Sequence, residues 1–193
     1  NGDTIRALDE VGFRVDSSVC PQRLGIISSE ITNIGWLYAP RRPYHPSYNN
    51  PFVRGSSSLW EIPVSTFIVP FMSNFGMAFG KTVEKFFFKC LYTEATRFNK
   101  PIVYMLHVED IAGNAMGMET DEVFKYKFKW NHLFPSRANG FVLRYAIYHN
   151  RSTQDIAQNI VSLLKTMKNH KNINFSTYQQ TLKLLENNSA VIG

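Results

Sequence analysis

The hydrophobic positions change rhythm several times along the chain, and each change marks an element. Ile5, Leu8 and Val11 recur at helical spacing behind Asp3, and Gly12 stands where a helix C′ residue belongs. Phe13 to Ser18, FRVDSS, follows as a strand, so the first unit is a helix turning into a strand through a glycine. Leu59 to Thr66, LWEIPVST, predicts the next strand. Val83, Phe86, Phe87, Cys90, Leu91 and Ala95 predict a helix over Thr82 to Phe98, with Lys81, Lys85 and Lys89 on another side. Pro101 ends it. Ile102 to His107, IVYMLH, is a continuous apolar run, as in a parallel strand buried on both faces. Further on, Ser152 is placed to cap a helix carrying Ile156, Ile160, Leu163 and Leu164, and Ile173 to Phe175 reads as a short strand. Ser176 with Gln179 predicts a capping box for a last helix, Tyr178 to Leu185.

Residues 20 to 58 lack such rhythm. Pro21, Pro40, Pro43, Pro46 and Pro51 interrupt them, leaving a short helical stretch from Ile26 to Trp36 and a long loop, RRPYHPSYNNPF, from Arg41 to Phe52. Its rings argue for an ordered loop, and long ordered loops often carry function. The alternation of helices with short buried strands predicts the α/β class with a parallel sheet or barrel. In such folds functional residues collect at the carboxyl ends of strands. Those ends hold Asp16 with Ser17 and Ser18, Ser65 with Thr66, and His107 with Glu109 and Asp110.

Composition narrows the classes. A length of 193 residues suits one domain, residues 1–193, and 44% hydrophobic against 19% charged residues excludes a disordered chain. A formal charge of +6 permits an anionic partner without requiring one. It is spread over several segments, so nucleic-acid binding is not expected. Two cysteines, Cys20 and Cys90, exclude a disulfide scaffold and a CxxC site. Ile62 to Gly80 carries no charge, but Pro63, Pro70, Ser65, Ser73, Asn74 and Gly76 make it a poor membrane span, and none is expected. The opening at Asn1 shows no signal peptide, and no compartment follows from it.

Each candidate residue has a structural alternative. His107 closes an apolar strand, where burial and carboxylates tune an imidazole for proton transfer, and where it could equally cap the strand end. Asp16 can orient a histidine or pair with an arginine, or it can start a turn. Trp36, Tyr44, His45 and Tyr48 could line a carbohydrate groove, since flat rings stack on sugar faces, or form a proline-stiffened cover. Phe124 to Trp130, FKYKFKW, places rings on one face and lysines on the other, as in an edge strand that resists pairing or a polyanion ribbon. No metal site is legible: none of the five histidines pairs at metal-ligand spacing.

GFRVDSSV, LWEIPVST and IVYMLHVED, in that order, together resemble the C-terminal half of NodB-type polysaccharide deacetylases, the carbohydrate esterase family 4 superfamily. APRRPYHPSYNNPF looks like a loop of one subset. The resemblance implies the C-terminal part of a distorted (β/α)7 barrel, incomplete because its N-terminal strands are absent. It implies removal of N- or O-linked acetyl groups from a polysaccharide or other acylated sugar. It also implies a divalent metal, usually zinc, held by TFDD-like and HSxxH-like motifs that do not occur here. Asp16 would match a supporting aspartate and His107 the general acid, and the chain alone would be inactive. An open parallel sheet implies self-association, or a missing N-terminal segment, at its edge. Two other readings stand beside this one: a non-catalytic carbohydrate-binding or structural half-barrel, and a glycosidase using Glu109 or Asp110 with a second carboxyl.

Overall fold

A computed structural model describes residues 2–22, 35–73, 76, 79–107 and 153–190. Residues 23–34, with most of the Ile26–Trp36 helical stretch, the Ser152 cap, Glu109, Asp110 and the Phe124–Trp130 ribbon lie outside the described residues.

Helix α1, Gly2–Glu10, buries Ile5 and leaves most of its length open. It begins two residues earlier than the capping role of Asp3 requires, so Asp3 sits in its first turn, where a carboxylate still favours the helix dipole. Gly12 ends it as the pattern predicts. Its φ of 86° closes a Schellman turn, with Phe13 N–H on Leu8 O at 2.9 Å and Gly12 N–H on Asp9 O at 3.0 Å.

The strands are shorter than their apolar runs. Strand β1 is Val15–Asp16 and pairs in parallel with β2, Trp60–Glu61, in the register Val15–Trp60 and Asp16–Glu61. Helix α2, Gly35–Tyr38, precedes the loop that leads to β2. The loop returns at Tyr44, which pairs antiparallel with Glu61 through two backbone hydrogen bonds. Beyond Glu61 the ladder is broken at Pro63, which has no N–H to give, though Val64 N–H still reaches Val19 O at 3.0 Å.

A short excursion then interrupts the run. Thr66–Phe67 (β3) and Val69–Pro70 (β4) fold back antiparallel around Ile68, which has φ 71°, costly for a β-branched residue. Phe71 N–H bonds Ser65 O at 2.7 Å, so the extended path resumes where it left off. It then runs beside residues 103–107, where LWEIPVST and IVYMLH predict two long strands and the structure has a single parallel bridge, Met72–Met105. Ser65 N–H reaches Val103 O at 3.0 Å, and the Ser65 hydroxyl accepts Val103 N–H at 2.9 Å.

Helix α3, Lys81–Phe98, spans the predicted residues but is rotated from the predicted face: Phe87, Leu91 and Ala95 are buried as expected, Phe88 and Glu84 join them, and Val83 and Phe86 are exposed. It ends on Asn99 in the left-handed region, its N–H on Ala95 O. It packs on α4, Thr153–Lys168. Phe71, Phe87, Phe88, Leu91, Leu163 and Met167 form the core between them, each burial stabilising by about 1.5–3 kcal/mol. No strand forms at Ile173–Phe175. The capping box of α5, Tyr178–Ala190, lies one residue further along than predicted: Gln180 Oε1 accepts Thr177 N–H at 2.8 Å, and the Thr177 hydroxyl accepts Gln180 N–H. No helix among the described residues is long and apolar enough to cross a membrane.

Candidate functional site

The carboxyl ends of β1 and β2 bring two acids together. Asp16 is half-buried. Its carboxylate accepts Ser17 N–H at 2.8 Å and the Ser18 hydroxyl at 2.7 Å, so it does shape the turn that starts the next segment. Glu61, its neighbour in register, is 1% exposed. One Glu61 oxygen accepts Val19 N–H at 3.0 Å. Burial, and then the charge and hydrogen bond of Asp16, push the Glu61 carboxyl up to about 8. At neutral pH Glu61 therefore holds a proton beside an acid that faces solvent. Ser17 ties the same strand end to α5: its hydroxyl donates to Ile62 O at 2.6 Å and accepts from Tyr178 at 2.9 Å.

The candidate loop residues sit elsewhere. Tyr44 is 1% exposed and belongs to the core, with its hydroxyl on Pro51 O at 2.5 Å. Burial, together with Glu61 and Asp16, raises its phenol. Because Tyr44 pairs antiparallel with Glu61, the chain after it runs toward the amino end of β2, away from the Asp16 carboxyl end. There His45 bonds Leu59 O through Nδ1 at 3.0 Å, and its ring lies 4.0 Å from that of Trp60. The Tyr48 hydroxyl donates to Asp9, which also takes the Ser58 hydroxyl. The Ser58 and Tyr48 hydrogen bonds hold the Asp9 carboxyl below its ordinary value, and the bond to Asp9 raises the Tyr48 phenol. Trp36 meets Phe52 at 5.3 Å. An open cleft of about 420 Å³ borders Arg6, Asp9, Glu10 and Tyr48. Of the four rings, Tyr48 alone lines it.

His107 is half-buried and lies two residues beyond Met105. Its segment is in step with Met72, well past Glu61 along the chain's direction, so the register sets His107 and Asp16 at different levels of the sheet. Sequence reasoning also passed over a third acid. Glu84, in the first turn of α3, is 1% exposed; Tyr104 donates to its Oε1 at 3.0 Å, while Oε2 has no hydrogen-bond partner among the described residues. Burial pushes this carboxyl up to about 7. Gly76 packs directly on it: a β-carbon there would fall 2.4 Å from the carboxylate. A glutamate in a helix's first turn reads as a solvated, dipole-favoured residue, and only the packing shows otherwise.

Among the described residues, no three His, Cys, Asp or Glu side chains converge as a metal site would require. The acids that do meet, Asp16 and Glu61, are engaged with backbone N–H groups, a serine hydroxyl and each other. They do not fit a zinc centre. No protein-family model, curated protein or solved structure matches the chain.

Proposed function

We propose that the chain forms part of a hydrolase domain that removes acetyl groups from a polysaccharide or other acylated sugar, in the manner of the NodB-type deacetylases it resembles. One observation carries this reading. The three motif-bearing segments, 13–19, 59–73 and 103–107, lie side by side in chain order, linked by parallel pairing. That is the arrangement in which strand ends build an active site.

The residues divide the work. His107, as an imidazolium, gives a proton to the departing nitrogen or oxygen of the sugar, so that the leaving group departs neutral. Asp16 is a positioning residue: with Ser17 and Ser18 it fixes the turn after β1. A divalent metal would supply the activated water in such a domain, and the described residues offer no ligand set for it. Tyr44 has no open ring face, and the cleft that Tyr48 borders lies toward the amino end of β2, away from Asp16 and His107. That cleft belongs to the second reading, a carbohydrate-binding module without catalysis.

The test uses the protein together with any residues that precede it in its gene, supplied with zinc and acetylated chito-oligosaccharides. Acetate release is expected, and His107→Ala should slow it by about 100-fold or more. An unchanged rate in that variant would remove the role of His107. Glycan binding without acetate release would select the second reading.

A further inference from the structure

The end of α3 gathers more positive charge than the contacts there balance. Arg41 donates to Thr66 O at 2.5 Å, to Thr66 Oγ1 at 3.2 Å and to Glu94 at 2.5 Å. Lys100, whose side chain is 3% exposed, meets the other Glu94 oxygen at 2.9 Å and Arg41 O at 3.4 Å. Arg42 and Arg97 place their guanidinium groups over the ring of Phe98, at 4.3 and 5.5 Å from its centre. Four cations thus gather at this helix end, two of them on the Glu94 carboxylate and two on the Phe98 ring. The helix C-terminus adds about half a negative charge, which leaves roughly two and a half positive charges unmatched. Burial, opposed by Glu94, and then repulsion from Arg41 and Arg42, holds the Lys100 amine below its ordinary value.

Arg42 and Arg97 are the reachable members. Both are exposed, and among the described residues neither has a hydrogen bond or ion pair. Stacking on a ring pre-organises a guanidinium and leaves its N–H fork available to a planar oxyanion. Arg41 and Lys100, fixed behind them, supply field rather than contact.

We propose that Arg42 and Arg97, set on Phe98, form a docking site for the carboxylate groups of an acidic glycan. The anion site stands on the charge cluster; that the anion is borne by a sugar chain rests on the proposed function above. A nucleic acid is the poorer fit. The one ring in the cluster is already covered by guanidinium groups, so no base can stack on it.

The experiment measures binding of the full chain by calorimetry to hexagalacturonate, to a neutral galactose hexamer and to a single-stranded RNA hexamer, at two salt concentrations. Hexagalacturonate should bind, weaken with salt, and lose at least tenfold in affinity in Arg42→Ala/Arg97→Ala. Should that double variant fail to fold, Arg42→Gln alone is measured and should lose at least threefold. No binding of hexagalacturonate, or equal binding by the variants, overturns the site. Tighter binding of RNA overturns the glycan assignment. Equal binding of the neutral hexamer overturns the role of charge and leaves the deacetylase reading standing. Uronate binding with no acetate release from any acetylated sugar would leave this site and remove that reading.

Discussion

Glu61 and Glu84 are buried to the same degree, 1% exposed each, yet their surroundings differ. Glu61 lies at a strand end with Val19 N–H on one oxygen and Asp16 beside it. Glu84 lies in the first turn of α3 with the Tyr104 hydroxyl on one oxygen, and its second oxygen has no hydrogen-bond partner among the described residues. Both carboxyls are raised, first by burial. In Glu61 the second cause is a neighbouring charge; in Glu84 no other group raises it. A buried acid with a second acid beside it can hand a proton across. A buried acid with one phenol mostly costs stability.

The sharpest way to break this comparison is to remove the charge from Glu84. Its folded value of about 7 lies above the ordinary 4.5, so the folded chain holds a proton that the unfolded chain has lost. Below pH 4.5 both states are protonated and the group is neutral to stability. The penalty grows as pH rises and is complete above 7, on the order of 3 kcal/mol. Glu84→Gln should therefore stabilise the protein by about 2 kcal/mol at pH 8 and by almost nothing at pH 4. Urea melts at the two pH values check this; equal effects at both would mean that Glu84 does not titrate within the core.

Tyr104→Phe tests the same site from the other side. Loss of the Tyr104 hydrogen bond to Glu84 should cost about 1–2 kcal/mol at pH 8, where the carboxylate needs it, and less at pH 5. The smallest effect belongs to the other acid. Asp16→Asn removes a charge but not the burial, so Glu61 should titrate lower by about one pH unit while staying above an ordinary glutamate. Carbon-13 NMR of the Glu61 carboxyl reads this directly, and an unmoved titration would dissociate the two acids.

These acids mark the boundary of what the residues alone disclose. Local signals read well. Gly12 at the end of α1 and the extent of α3 each depend on a few neighbouring residues, and both are found in place, though α3 turns Phe88 inward and leaves Val83 and Phe86 exposed. The α5 capping box slipped by one because Thr177 and Gln180 offer the same pattern as Ser176 and Gln179. Non-local pairing read poorly. Nothing in LWEIPVSTFIVPF announces that Ser65 O will accept Phe71 N–H and set the residues between aside. Asp16 could be placed at a strand end, but its partner Glu61 could not, because that contact depends on register. The Tyr44 loop was legible as ordered and aromatic; its direction, set by antiparallel pairing to Glu61, was not.

The clasp between β1 and α5 has a consequence for how the molecule is made. Tyr178 reaches Ser17 across 161 residues, and Glu186 reaches Arg14 at 2.5 Å across 172. The second residue-pair lies on the surface and contributes little energy by itself. What matters is timing. During synthesis β1 emerges well before α5, so the flank of β1 that α5 covers must wait until the 161 residues from Ser17 to Tyr178 have followed it. Closing so long a loop is entropically costly, and such contacts form late and slowly. Strand β1 is thus finished long after it is made.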